Sequence, residues 1–157
     1  MDEFSTLYRR YAPDVFRFAL HLSRDRHEAE DITSETFVRA WTSPEPIRVA
    51  TVKGYLFAIA RNLFLQRIRK RRHDIPLEDE VRDPGQDPLA RAEQSSQIRV
   101  VLEGVRRLPE IDRSALLMRA MDGMAYAEIA RALGITLASV KVKIHRARIA
   151  LLALKDS

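Results

Sequence analysis

The side chains best placed to do chemistry in this chain are cations. Arg67, Arg69, Lys70, Arg71 and Arg72 close an apolar stretch, and Lys141, Lys143, His145, Arg146 and Arg148 gather near the C-terminus. Lysine and arginine at that density neutralise phosphates; they do not by themselves make or break bonds. Catalytic candidates are sparse. His21, His27, His73 and His145 lie far apart, and only His27 neighbours acids (Glu28, Glu30, Asp31), with no second histidine at ligand spacing. There is no cysteine, which excludes disulfides, thiol nucleophiles, zinc fingers and iron–sulfur ligation. Neither a Gly-x-x-x-x-Gly-Lys loop nor a Gly-x-Ser-x-Gly elbow occurs. The expectation is a protein that is not an enzyme and needs no cofactor and no metal.

Composition sets the frame around those clusters. The chain has 157 residues, 46% of them hydrophobic, enough for one ordinary domain or two small ones. Its 27 Lys and Arg outnumber 22 Asp and Glu, so the formal net charge is +5 and a polyanion is a plausible partner. The apolar run Leu56–Ala60 stops at Arg61, far short of the ~20 residues a bilayer requires. The first residues carry charges where a signal peptide needs an apolar stretch. A soluble, cytoplasmic protein without membrane insertion is expected.

An all-α fold follows from the periodicity. Phe4, Leu7, Tyr8, Tyr11, Val15, Phe18 and Leu22 recur at steps of three and four, predicting a helix over 2–23 that Pro13 kinks or interrupts. Ser23 or Asp25 can cap a second helix over 27–41, with Trp41 expected in the core. Prolines make 42–46 a loop. A third helix over 51–72 is apolar on a wide arc and then turns basic. From 46 to 72 the chain holds Arg48, Lys53, Arg61 and the five-residue cluster, and no acid. The sign then reverses. Acids and prolines dominate from Asp74 to Pro88, the signature of a flexible linker. The expected domains are 1–72 and 91–157, with 73–90 between them.

The C-terminal part contains a helix-turn-helix pattern. Two helices crossing steeply need a small residue at the crossing, a turn residue tolerant of positive φ, and an apolar residue facing back from the second helix. Ala130, Gly134 and Val140 supply these at the intervals of the DNA-binding motif. On the last helix Val140, Ile144, Ala147 and Leu151 share one face. The opposite face shows Ser139, Lys141, Val142, Lys143, His145, Arg146 and Arg148, basic and nearly free of acid, as a major-groove helix is. The competing reading is a solvated basic helix on an unrelated bundle. The first cluster has its own plain reading, since cations at a helix C-terminus suit the helix dipole.

Taken together, these segments resemble the extracytoplasmic-function (ECF) sigma factors of the sigma-70 family. The resemblance is carried by Ala29–Trp41 (AEDITSETFVRAW), by Gly54–Asn62 (GYLFAIARN) with its basic tail, and by Leu108-Pro109, Tyr126–Gly134 (YAEIARALG), Val140-Lys141 and His145–Arg148 (HRAR). It implies two small helical domains, sigma region 2 and sigma region 4, on either side of an acidic connector. It implies three partners: core RNA polymerase, promoter DNA and an anti-sigma factor. Asp31, Ser34, Glu35 and Phe37 would meet the clamp helices of the polymerase largest subunit. Asn62 would stand beside a captured base of the −10 element, with Arg61, Arg67, Arg69, Lys70, Arg71 and Arg72 on the backbone. Region 4 would read the −35 element through Ser139, Lys141, Val142, Lys143, His145, Arg146 and Arg148.

Two positions depart from the family pattern. Ser34 stands where the family usually has Gln, and Ala125 where Ser or Thr usually caps the helix that begins at Tyr126. Two other functions remain open at this point: a helix-turn-helix regulator that works without polymerase, and a sigma-like decoy that titrates an anti-sigma factor.

Overall fold

The structure, a computed structural model, describes residues 3–43, 51–74 and 96–155. Among these residues there are seven helices and no strand: α1 (Glu3–Ser23), α2 (Arg26–Thr42), α3 (Val52–Asp74), α4 (Ser96–Arg107), α5 (Glu110–Ala120), α6 (Tyr126–Leu133) and α7 (Leu137–Lys155). The chain divides into two compact units, Met1–Asp83 and Pro84–Ser157. Most of the connector expected at 73–90 lies outside the described residues, as does the proline-rich stretch after Ser43.

The first unit is built from α1, α2 and α3. Val15, Phe18, Ala19 and Leu22 of α1 are buried against Ala29, Ile32 and Phe37 of α2 and against Leu56, Phe57, Ala60, Leu63 and Phe64 of α3. Phe18 and Phe57 stack face to face at 4.6 Å with an interplanar angle of 4°. Pro13 lies inside α1 without ending it. Its ring removes one amide donor from the helix ladder and stands on the exposed side. Between α1 and α2 the chain turns at Arg24, a non-glycine residue at φ 59°. Asp25 then caps α2, its Oδ1 accepting from the Glu28 amide at 3.1 Å. Thr51 does the same for α3 by accepting from the Gly54 amide at 3.1 Å.

Trp41 departs from the expectation that it is core. It is 61% exposed. The buried stripe of α2 runs Ala29, Ile32, Thr33, Thr36 and Phe37, and α2 ends at Thr42 before another turn can be covered. The indole therefore lies at the rim, its ring 4.8 Å from that of Phe4.

The second unit packs α7 against α4, α5 and α6. Ile129, Val140, Ile144 and Ala147 are fully enclosed, and Ala115, Met118 and Leu133 complete the interior. α4 approaches α7 closely at Gly104, where an added Cβ would sit 2.4 Å from Leu154 Cδ1 and 2.8 Å from Leu151 Cδ2. Pro109 begins α5, and Ala125 precedes α6 with no side-chain cap.

Candidate nucleic-acid interface

The turn between α6 and α7 has the geometry that the Ala130–Gly134–Val140 spacing requires. Gly134 takes φ 68°, ψ 35°, a left-handed conformation that a side chain disfavours. The Ile135 amide donates to the Ala130 carbonyl at 3.0 Å, which closes the end of α6. Thr136 restarts the chain, its hydroxyl accepting from the Ser139 amide at 3.1 Å. Val140, fully buried, plugs α7 onto α6.

That packing leaves the other face of α7 outward. Lys141, Val142, His145, Arg146 and Arg148 are exposed, and Ser139 and Lys143 are half-buried. Val142, at 59% exposure, is an apolar side chain held in water among cations, suited to a thymine methyl. Among the described residues, Arg146 is the one cation of this face with an ion pair. Its Nε donates to Asp112 Oδ2 and its Nη2 to Asp112 Oδ1, both at 2.8 Å. Asp112 is a buried carboxylate on α5 that the sequence reading passed over. Its signal was present: it lies on the same helical stripe as Ala115, Leu116 and Arg119, and a charge on a buried stripe requires a counter-charge.

On the first unit the basic end of α3 is split into two kinds of side chain. Asn62, Arg69, Lys70 and Arg72 are exposed, and Arg61 is half-buried. Arg67 and Arg71 instead lean on α2. Arg67 reaches Glu35 at 3.7 Å and Asp31 at 4.0 Å, and Arg71 donates to Glu28 Oε2. Glu28 is almost wholly buried, and its Oε1 has no hydrogen-bond partner among the described residues. A further ion pair, Lys53 with Asp14 at 3.2 Å, joins the start of α3 to α1.

The residues expected to meet a protein partner do not share one surface. Asp31 and Ser34 are exposed and Glu35 is half-exposed on α2, with Val38 and Trp41 continuing the same outward side. Phe37 is 1% exposed, beneath Tyr8 at 4.9 Å and Phe4 at 6.4 Å between ring centroids. A docked partner cannot touch it directly; Phe37 is the core that backs Ser34 and Glu35. No group of three or more acids and histidines positioned for a metal occurs among the described residues, and none of their helices is long and apolar enough to cross a membrane.

Comparison with known proteins agrees with this division. Residues 7–73 match the family model of sigma-70 region 2, and residues 98–151 match that of sigma-70 region 4. The chain is 36% identical over 153 residues to the ECF RNA polymerase sigma factor SigE of Mycolicibacterium smegmatis, an alignment that takes in 94% of this chain and 60% of that protein. It is 33% identical to the ECF RNA polymerase sigma factor SigM of Bacillus subtilis, covering 94% of this chain and 92% of the relative. In fold it is similar to the sigma factor RpoE of Bartonella quintana, solved with the anti-sigma factor NepR, at a TM-score of 0.76 and 22% identity over 99% of this chain and 98% of that one.

Proposed function

The chain belongs to the ECF sigma factors of the sigma-70 family, and on that premise we propose how its residues divide the work of starting transcription. It binds core RNA polymerase and brings it to promoters, with one unit on each promoter element. The 1–72 domain docks on polymerase through Asp31, Ser34 and Glu35 of α2, whose acids suit a basic helical partner. The same domain takes the −10 element on α3: Asn62 lies beside a captured base while Arg61, Arg69, Lys70 and Arg72 hold phosphates. Arg67 and Arg71 join that set from their ion pairs with α2. The 91–157 domain reads the −35 element with α7, where Lys141, Val142 and His145 meet base edges and Ser139, Lys143, Arg146 and Arg148 support them. No step in this scheme asks the chain itself to make or break a bond.

Two modest domains on one tether suffice for this task, because the second contact forms at high effective concentration once the first is made. The same arrangement offers control by an anti-sigma factor that covers the cationic and acidic surfaces together. One observation carries the reading: a left-handed Gly134 turn presents a basic α7 in one unit while a second basic helix end, on α3, stands in the other.

The test is transcription in vitro with core polymerase and genomic DNA, with start sites mapped. The holoenzyme is expected to start at a small set of promoters, where Asn62→Ala weakens initiation and Lys141→Ala weakens it through the −35 element. A regulator that works without polymerase would instead bind specific DNA tightly alone, as a dimer on twofold sites. A decoy would yield no promoter-dependent starts. Either result overturns the proposal.

A further inference from the structure

The pair between Arg146 and Asp112 does more than join two helices. Asp112 is fully buried, whereas the Arg146 side chain is 58% exposed. One end of the contact is thus sealed from water and the other lies on the face of α7 that carries Lys141, Val142 and His145. The two bonds, each 2.8 Å, are the parallel fork a guanidinium makes with a carboxylate, and they fix the plane of the guanidinium as well as its position. A lysine could do only the latter. Two of the five guanidinium hydrogens are used; the remaining three lie along Nη1 and the outer side of Nη2. Arg146 therefore meets DNA in one pose, its orientation already set before binding.

We infer that Asp112 is a positioning residue for −35 recognition, acting through Arg146. This rests on the sigma-factor reading above and deepens it. A long cation on an exposed helix samples many rotamers, and ordering it on DNA costs binding free energy. Asp112 removes that cost at one position. It also neutralises the cation's attraction for phosphates at large, so Arg146 contributes to which DNA is bound more than to how strongly any DNA is bound. Asp112 touches no DNA itself.

The experiment uses the full chain in holoenzyme with core polymerase, on a mapped promoter carrying either its intact or a scrambled −35 element. Two variants break the fork and keep a cation on α7: Asp112→Asn and Arg146→Lys. Both keep a hydrogen-bonding group opposite the other, so the unit folds; a melting curve of each variant checks this. Each is expected to lower discrimination between the two templates roughly tenfold, the scale of one lost base-directed contact. In Asp112→Asn, initiation on the scrambled template is expected to stay at or above the unmodified level, since that variant leaves the Arg146 charge uncompensated. The double variant is expected to lose no more than either single one.

Three results would overturn the inference: Asp112→Asn unchanged on both templates, an equal fall on both templates, or a double variant whose loss is the product of the two. The first means that Asp112 does not position Arg146, the second that it serves stability alone, and the third that the two residues act independently. Failure of the underlying reading looks different. An unmodified holoenzyme indifferent to the −35 sequence removes the assignment of α7 to the −35 element and this inference with it, whereas a discriminating one paired with a neutral Asp112→Asn removes this inference only.

Discussion

Glu28, in the first turn of α2, holds Arg71 near the end of α3. The carboxylate is buried and the guanidinium partly open to solvent, so the basic end of α3 is anchored to α2 at one point. About one turn back along α3, Arg67 lies between Glu35 and Asp31. The acids proposed for polymerase and the cations proposed for DNA thus face each other across one helix pair.

Glu28 is expected to matter for stability. Glu28→Gln keeps the shape and removes the charge, leaving Arg71 with a weaker acceptor. A loss of about 1–3 kcal/mol follows from a broken charge-assisted hydrogen bond to a buried group. Urea unfolding of the two proteins at neutral pH measures it.

Glu35→Gln should separate function from stability. Glu35 is partly exposed, and its contacts with Arg39 at 3.2 Å and Arg67 at 3.7 Å are surface ion pairs. Such pairs contribute roughly 0–1 kcal/mol, so the unfolding midpoint should barely move. Affinity for core polymerase should nevertheless fall several-fold, read by competition with the unmodified protein. An unfolding midpoint that moves as far as that of Glu28→Gln would place Glu35 among the structural acids instead.

Ala125→Ser is expected to stabilise the second unit. Ala125 has the extended conformation of an N-cap, φ −63° and ψ 144°, but offers no acceptor to the first amides of α6. A serine hydroxyl there should add about 0.5–1 kcal/mol. Gly134→Ala should do the reverse. Nothing lies within 4 Å of the added Cβ, so its whole cost comes from φ 68°, about 1–2 kcal/mol. Thermal melts of the two variants should shift in opposite directions.

His21 gives the first unit a pH dependence. Burial, followed by the nearby Arg17 and Arg24 guanidinium groups, lowers its pKa below the ordinary 6.5. Between the lowered value and 6.5 the unfolded chain binds the proton more readily than the folded one, so stability rises with pH through that window. The contribution is fully present above pH 6.5 and is lost as the pH falls through the lower folded value. His21→Gln should flatten this part of the stability curve, compared by denaturant midpoints across mildly acidic pH.

The residues differ in how plainly their roles could be read beforehand. Asp25, Gly134 and Val140 were legible because each answers a local demand, a cap, a positive φ or a facing apolar group, within a few positions of chain. Arg146 was placed correctly on the outward face of α7, yet its partner stands 34 positions away on α5, and no periodicity within α7 could reveal that. Glu28 escaped for the same reason: helical spacing puts it on the Ile32–Thr36 stripe, but the chain near it holds no hint of Arg71. Trp41 was misjudged because size and hydrophobicity argue for burial, while the covering of a helix end depends on where its neighbour stops. Phe37 shows the opposite outcome, an aromatic of a recognition motif whose place is under the surface.

The exposed indole at the end of α2 has a practical use. Trp41 is the chain's single tryptophan, in the same helix as Asp31, Ser34 and Glu35. Its emission reports from one known spot, so a tryptophan-free peptide that covers the outer side of α2 should shift that emission to shorter wavelength. The protein carries a built-in optical reporter for the outer side of α2 that needs no label.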